Sequence, residues 1–236
     1  MKAVWTLCRK EWAIYAVTPV AYVLVAVYLF LAGLFFWLGL SLSGEASLRV
    51  MLGNLAIVQL FILPMLTMRS FAEERRQGTL ELLLTLPVSP GAVVMGKWLA
   101  ALGLCGGLLV GTAVFPLLLS TYGAPDWGVV VTGYLGLALV AAAFSAAGLF
   151  ASSLTDDQVA AGLLGIVMLL PLWLIGRADV LLPADWAARL APLGLGTHLR
   201  SFDRGVVDTA DVTYFLCLVA GFLFLTYRSL ESRRWR

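Results

Sequence analysis

From Pro19 to Leu40 the chain runs 22 residues without Asp, Glu, Lys, Arg or His. About 20 predominantly apolar residues in an α-helix cross the hydrocarbon core of a bilayer. Comparable runs follow at 50–68, 91–122, 129–151, 159–175 and 212–227. Hydrophobic residues make up 61% of the chain, charged residues 13%, and the mean hydropathy is +0.94. A soluble domain averages about 45–50% apolar and about 25% charged. The expected fold is therefore all-α and integral to the membrane, one transmembrane domain over residues 1–236 with six spans.

Residues 1–17 are a different kind of segment. On a helical wheel Val4, Trp5, Cys8, Trp12 and Tyr15 share one side, and Lys2, Thr6, Arg9 and Lys10 the other. That pattern predicts an amphipathic helix lying in the interface, rings toward the lipid and basic heads in water. No apolar stretch ending in a small-residue cleavage site follows it, so no removable signal peptide is expected. Thr18-Pro19 and Ser89-Pro90 each read as a helix cap followed by proline at the first helical position. In the third run Gly103, Gly107 and Gly111 recur every four residues, with Gly96 and Ala100 near the same ridge. Small residues at that spacing let two helices approach closely, here within one subunit.

The segment from 69 to 90 interrupts the apolar pattern. It carries Glu73, Glu74, Arg75 and Arg76 together, breaks at Gly78, continues as a leucine-rich piece from Leu80 to Leu86, and stops at Pro87–Pro90. Leu80, Leu82, Leu83, Leu84 and Leu86 are too many leucines to leave in water, so they need a partner groove or the membrane surface. Six spans place both termini on one side. Of the 16 Lys and Arg residues, eleven fall with the termini and this loop, and Arg49, Arg177, Arg189, Arg200 and Arg204 fall opposite. The positive-inside rule then makes the termini and the 69–90 loop cytoplasmic, in a bacterial-type inner membrane, and the 177–211 segment external.

Gly91–Lys97 (GAVVMGK) matches most of a phosphate-binding loop, but Trp98 replaces the Ser or Thr that would hold magnesium, and no strand precedes it. His198 has no metal-ligand spacing around it and reads as a satisfied polar residue. Asp156-Asp157 reads as a turn and helix cap. Met65 and Met68 read as packing residues. The cysteines Cys8, Cys105 and Cys217 are far apart and form no CxxC motif. No nucleophile constellation is present, and catalysis and metal binding are expected to be absent. None of the six runs is expected to bury a charge, which argues against a carrier with a protonatable midplane site. Phe35, Phe36, Trp37, Asn54 and Gln59 are left to line any pathway.

The stretch LPMLTMRSFAEERRQGTLELLLTLPVSPGAVVMGKWLA, from Leu63 to Ala100, resembles the signature region of type 2 ABC permeases. The branch is the one holding the gliding-motility (GldF-type) and NosY-type subunits. RKEW at Arg9–Trp12, Thr18-Pro19 and FDRGVVDTADVTYF from Phe202 to Phe215 resemble the same branch, and together they cover most of the chain. The lack of a large external domain favours the GldF-type side. The resemblance implies a permease pairing with a second permease subunit, homo- or heteromeric, above a separate ABC ATPase that binds ATP and magnesium. It implies a coupling helix at Gly78–Leu86 between spans 2 and 3, and short external helices between spans 5 and 6. The contact residues toward the ATPase would be Glu73, Glu74, Arg75, Arg76, Gly78, Thr79, Glu81, Leu82, Leu83 and Pro87. Trp5, Arg9, Glu11 and Trp12 would mark the interfacial helix. It also implies that spans one and five, with that helix, lie near the partner permease or the conduit.

Two functions fit. In the first, the chain is the permease of an ATP-driven exporter or lipid-moving machine. In the second, it is an anchor or force-transmitting subunit that passes ATPase motion to an external accessory protein through 177–211 and moves no solute. Neither involves nucleic acid, and the bilayer is a partner in both.

Overall fold

The computed structural model describes residues 2–43, 47–81, 88–123, 125–176 and 183–234. The described residues are helical throughout their regular parts, and six helices are long and apolar enough to cross a membrane. This agrees with the fold class expected from the apolar runs. The helices are α1 (Lys2–Val17), α2 (Pro19–Ser43), α3 (Arg49–Thr67), α4 (Arg69–Arg76), α5 (Pro90–Thr112), α6 (Val114–Tyr122), α7 (Trp127–Leu154), α8 (Gln158–Ile175), α9 (Ala184–Leu190), α10 (Leu195–Asp203) and α11 (Thr209–Arg234).

The bundle is built around α7. It touches α3, α4, α5, α8, α10 and α11, and its face from Val140 to Ala151 is almost wholly buried. Its small residues explain the position, because backbones can close on Gly and Ala where larger side chains would hold them apart. A Cβ on Gly148 would meet Thr67 and Pro64 of α3, and one on Gly165 of α8 would lie 2.8 Å from Pro64 Cβ. Pro64 thus fills the crossing of α3, α7 and α8. By contrast α2 packs mainly on α3 and α5, with Phe36 meeting Phe115 of α6 at 5.1 Å, and most of its surface faces outward.

Local chemistry sets the helix ends. Ser89 accepts from Ala92 N at 3.3 Å and caps α5, as the Ser-Pro pair implied. Asp157 caps α8 through Ala160 N at 2.9 Å. Thr18 does not act as the cap expected before Pro19. Its hydroxyl donates back to Ile14 O at 2.7 Å and closes α1 instead. The third span is not one helix. It breaks at Ala113, between α5 and α6, because the Pro116 ring has no N–H to give and crowds the carbonyl of Thr112 four residues back. The segment expected as a loop from 69 begins as helix. Met68 keeps helical angles (φ −55°, ψ −31°), so α4 runs on directly from α3.

α1, α4, the start of α5 and the ends of α7 and α11 gather at one end of the bundle. A second, smaller core of Phe71, Leu80, Val93, Val94, Leu149 and Leu230 lies there, with Leu7 packed against it. At the opposite end α10 buries Leu195, Leu199 and Phe202 against the bundle. His198 is not solitary. Its Nδ1 lies 2.6 Å from Asp211 Oδ1, its Nε2 lies 2.9 Å from Pro192 O, and its ring stacks on Tyr214 at 4.0 Å. Asp211 lies 13 residues further on and starts the last span, a spacing that sequence periodicity does not connect to residue 198.

Candidate coupling site

α4 is held by α7 through reciprocal capping. The first turn of a helix leaves its N–H groups without intrahelical partners. Here Ser152 Oγ of α7 accepts from both Phe71 N and Ala72 N at 3.0 Å, and donates to Met68 O at 2.8 Å. In return Arg75 Nη1 donates to Leu154 O at 2.9 Å, placing a cation on the C-terminal turn of α7. Arg75 is therefore turned inward. Gly78 ends the element with φ +69°, the left-handed conformation that glycine adopts without penalty. Thr79 Oγ1 donates to Glu74 O at 3.1 Å across this turn.

Residues 79–81 turn helical again. Leu80 is 6% exposed and belongs to the small core, so it is occupied within the chain and is not offered to a partner. Glu81, Arg76, Gly78 and Thr79 are exposed. A cleft of about 750 Å³ lies beside them, floored by Phe150, Leu154 and Leu225 and edged by Arg75, Glu81 and Arg228. Leu82, Leu83, Leu84, Leu86 and Pro87 lie outside the described residues.

A buried cation joins this element to α1. Lys97, on α5, is 1% exposed. Its Nζ lies 2.6 Å from Glu11 Oε1 of α1, 2.6 Å from Ser70 O of α4 and 3.0 Å from Glu74 Oε1 of α4. Lysine has three N–H donors, and three acceptors surround them. Phe71 stacks its ring 5.1 Å from the same ammonium, and Lys10 adds an outer contact to Glu74 at 3.4 Å. The expectation that no span buries a charge is thus corrected: Lys97 lies inside the third apolar run and is fully enclosed. The run itself hid it, because a lysine seven residues into an apolar helix reads as the edge of a cytoplasmic loop.

α1 packs along α5 through the glycine ridge. A Cβ on Gly96 would lie 2.8 Å from Leu7 Cβ and 3.1 Å from Val4 O, and one on Gly103 would lie 2.6 Å from the Trp12 ring. Gly111 faces Leu29 of α2 instead, and Gly107 meets nothing within 4 Å. The face of α1 turned to the protein carries Cys8 and Glu11, both buried. The wheel had placed Cys8 with the lipid-facing rings. Trp5 and Arg9 remain exposed, and Trp12 is half-exposed beside the groove over Gly103. Burial first and the Glu11 carboxylate second push the Cys8 thiol up.

Among the described residues no group of three or more His, Cys, Asp or Glu could hold a metal ion. The charged element α4 is braced on α7 and pinned to α1 by one ammonium. Residues 56–184, more than half of the chain, match the family described as ABC-2 family transporter protein. The chain belongs to the ABC-2 transporter family. That match begins in α3 and takes in α4, α5 and α7, so the Lys97 and Ser152 contacts between these helices lie inside the ABC-2 region. The chain is also similar to the inner membrane transport permease YhhJ of Escherichia coli (strain K12) and of Shigella flexneri, each 32% identical over 111 residues. Those 111 residues are 47% of this ABC-2 chain and 29% of the relative, so the chain spans well under two thirds of the curated relatives it matches.

Proposed function

We propose that the chain is the membrane permease subunit of an ATP-driven transporter, on the GldF-type side of the ABC-2 family. Both termini and the 69–90 segment are cytoplasmic in this reading. ATP and magnesium bind a separate ABC ATPase, and a second permease subunit completes the machine, which exports or moves a lipid or solute. The observation that carries the reading is the Lys97 node. α4 leads into the exposed turn at Gly78–Glu81, and Lys97 ties α4 to both α1 and α5. A push delivered to that turn reaches the interfacial helix and the third span together, because packed elements move as rigid bodies rather than deforming continuously. The contact to the ATPase consists of the exposed Arg76 and Glu81, with Leu82, Leu83 and Pro87 following.

The test is purification of the tagged chain from native membranes with an ABC ATPase bound in stoichiometric amount, and ATP hydrolysis that rises when the pair is reconstituted together. Recovery of the chain without any nucleotide-hydrolysing partner under mild detergent conditions, with no change in hydrolysis on mixing, counts against it.

A further inference from the structure

A cavity of about 400 Å³ lies beside the Lys97 node, between α1, the start of α2 and the junction of α3 with α4. Its two halves differ. One wall is apolar, with Val20, Ala21, Leu24 and Met65 from helices of membrane length, and Met65 is 45% exposed on the outer face. The other wall carries Lys10, Arg69 and Lys97 against Glu11, Glu73 and Glu74, three cations against three carboxylates. Not all of these charges are matched internally. Among the described residues Arg69 enters no ion pair, and its Nε is buried without a hydrogen-bond partner. Glu74 Oε2 is likewise buried without a partner. Among the described residues the Glu73 carboxylate is met only by the Gln77 amide at 3.3 Å. Buried polar groups are ordinarily satisfied, and the lining of this one cavity holds a donor and an acceptor that the chain's own described residues leave unmatched.

We infer that this cavity binds the headgroup of a phospholipid bearing a primary amine, from the leaflet that faces α1. The phosphate sits on Arg69, whose planar guanidinium suits a phosphate oxygen pair. The ammonium sits between Glu73 and Glu74 and supplies the N–H that the Glu74 carboxylate lacks. Lys10 covers Glu74 at 3.4 Å but is half-exposed, so its swing outward opens the way. One acyl chain follows Leu24 and Met65 into the hydrocarbon. The balance of three cations and three carboxylates favours a zwitterion over an anionic lipid. A quaternary amine is disfavoured because it has no N–H to donate.

The experiment is native mass spectrometry of the purified full-length chain in detergent. It is titrated separately with phosphatidylethanolamine, phosphatidylcholine and phosphatidylglycerol of the same acyl chains, and with inorganic phosphate as competitor. The expected result is one phosphatidylethanolamine adduct retained about tenfold better than phosphatidylcholine, the size of one charge-assisted hydrogen bond. Inorganic phosphate does not displace it, and Arg69→Ala and Glu74→Gln each lower retention to the phosphatidylcholine level. Arg49→Ala, at the other end of the bundle, leaves it unchanged. Equal retention of the three lipids by the unaltered chain overturns the proposal without any variant. Preference for phosphatidylglycerol overturns the amine assignment, and displacement by inorganic phosphate marks a soluble-anion site instead. No ATPase enters the assay, so its outcome is independent of the permease reading.

Discussion

Lys97 Nζ lies 2.6 Å from Glu11 Oε1, and both side chains are buried although 86 residues separate them. The pair closes α1 onto the third span. Its position beside Glu74 makes one ammonium common to three helices. Taking one member from a buried ion pair typically costs about 3–5 kcal/mol, because the other charge is left without compensation. Lys97→Met is therefore expected to undock α1. Cys8 reports it: buried under α5, its thiol resists maleimide in the unaltered chain and reacts much faster in Lys97→Met. Unchanged Cys8 reactivity would mean that packing alone holds the helix.

The glycine ridge offers a matched pair of substitutions. Gly96→Ala puts a methyl 2.8 Å from Leu7 Cβ and 3.1 Å from the Val4 carbonyl, neither of which is the free end of a side chain. The variant is expected to lose stability by about 1–3 kcal/mol, the range for overpacking. Gly107→Ala meets nothing within 4 Å and is expected to be neutral, or to gain roughly 0.5–1 kcal/mol from the helix preference of alanine. Thermal unfolding of both variants in one detergent decides this, and the ranking reverses if Gly107 faces a second subunit.

Asp203 supplies a pH dependence at the opposite end. Burial raises its carboxyl above the ordinary range, and Arg49 pulls it partly back. A raised folded value means that the folded state holds the proton more tightly. The stabilisation is complete below the unfolded value, about pH 4, and is lost as pH rises through the folded one. Asp203→Asn removes that loss. The variant should unfold at a higher temperature than the parent near neutral pH, with the gap closing below about pH 4. A variant less stable at neutral pH would show that the Arg49 attraction outweighs burial.

Much of this fold was legible in the sequence because apolar run length states the membrane constraint directly. The caps at Ser89 and Asp157 were legible too, since each is a local pattern of side chain and following backbone. The break at Ala113 is caused by Pro116, a local signal present in the chain but masked by the uninterrupted apolarity around it. The contacts that make the candidate site are of another kind. Ser152 to Phe71 and Ala72, Arg75 to Leu154, and Lys97 to Glu11 link residues that no periodicity relates. Leu80 shows the same limit: its neighbours in sequence mark it as one of a leucine group, while its place in the small core depends on Phe71, Val93 and Leu230.

Sidedness is checked by labelling. In a cysteine-free background, Arg76→Cys and Arg204→Cys place thiols at exposed positions at the two ends of the bundle. A membrane-impermeant maleimide applied to intact cells should reach position 204 and not position 76. Labelling of both from one side would overturn the six-span arrangement.

The most direct measurement is ATP hydrolysis and ATPase retention for leucine variants of the 78–86 segment, assayed in reconstituted membranes. Burying one leucine side chain contributes roughly 1.5–3 kcal/mol, and an aspartate in its place also brings an unpaired charge into the contact. Leu82→Asp and Leu83→Asp are predicted to release the ATPase or to separate its hydrolysis from transport, while the permease still inserts and unfolds at its usual temperature. Leu80→Asp, which strikes the chain's own core, is predicted to lower the unfolding temperature instead. Full retention and full coupled hydrolysis in both Leu82→Asp and Leu83→Asp would contradict the assignment of this segment as the element on which the ATPase acts.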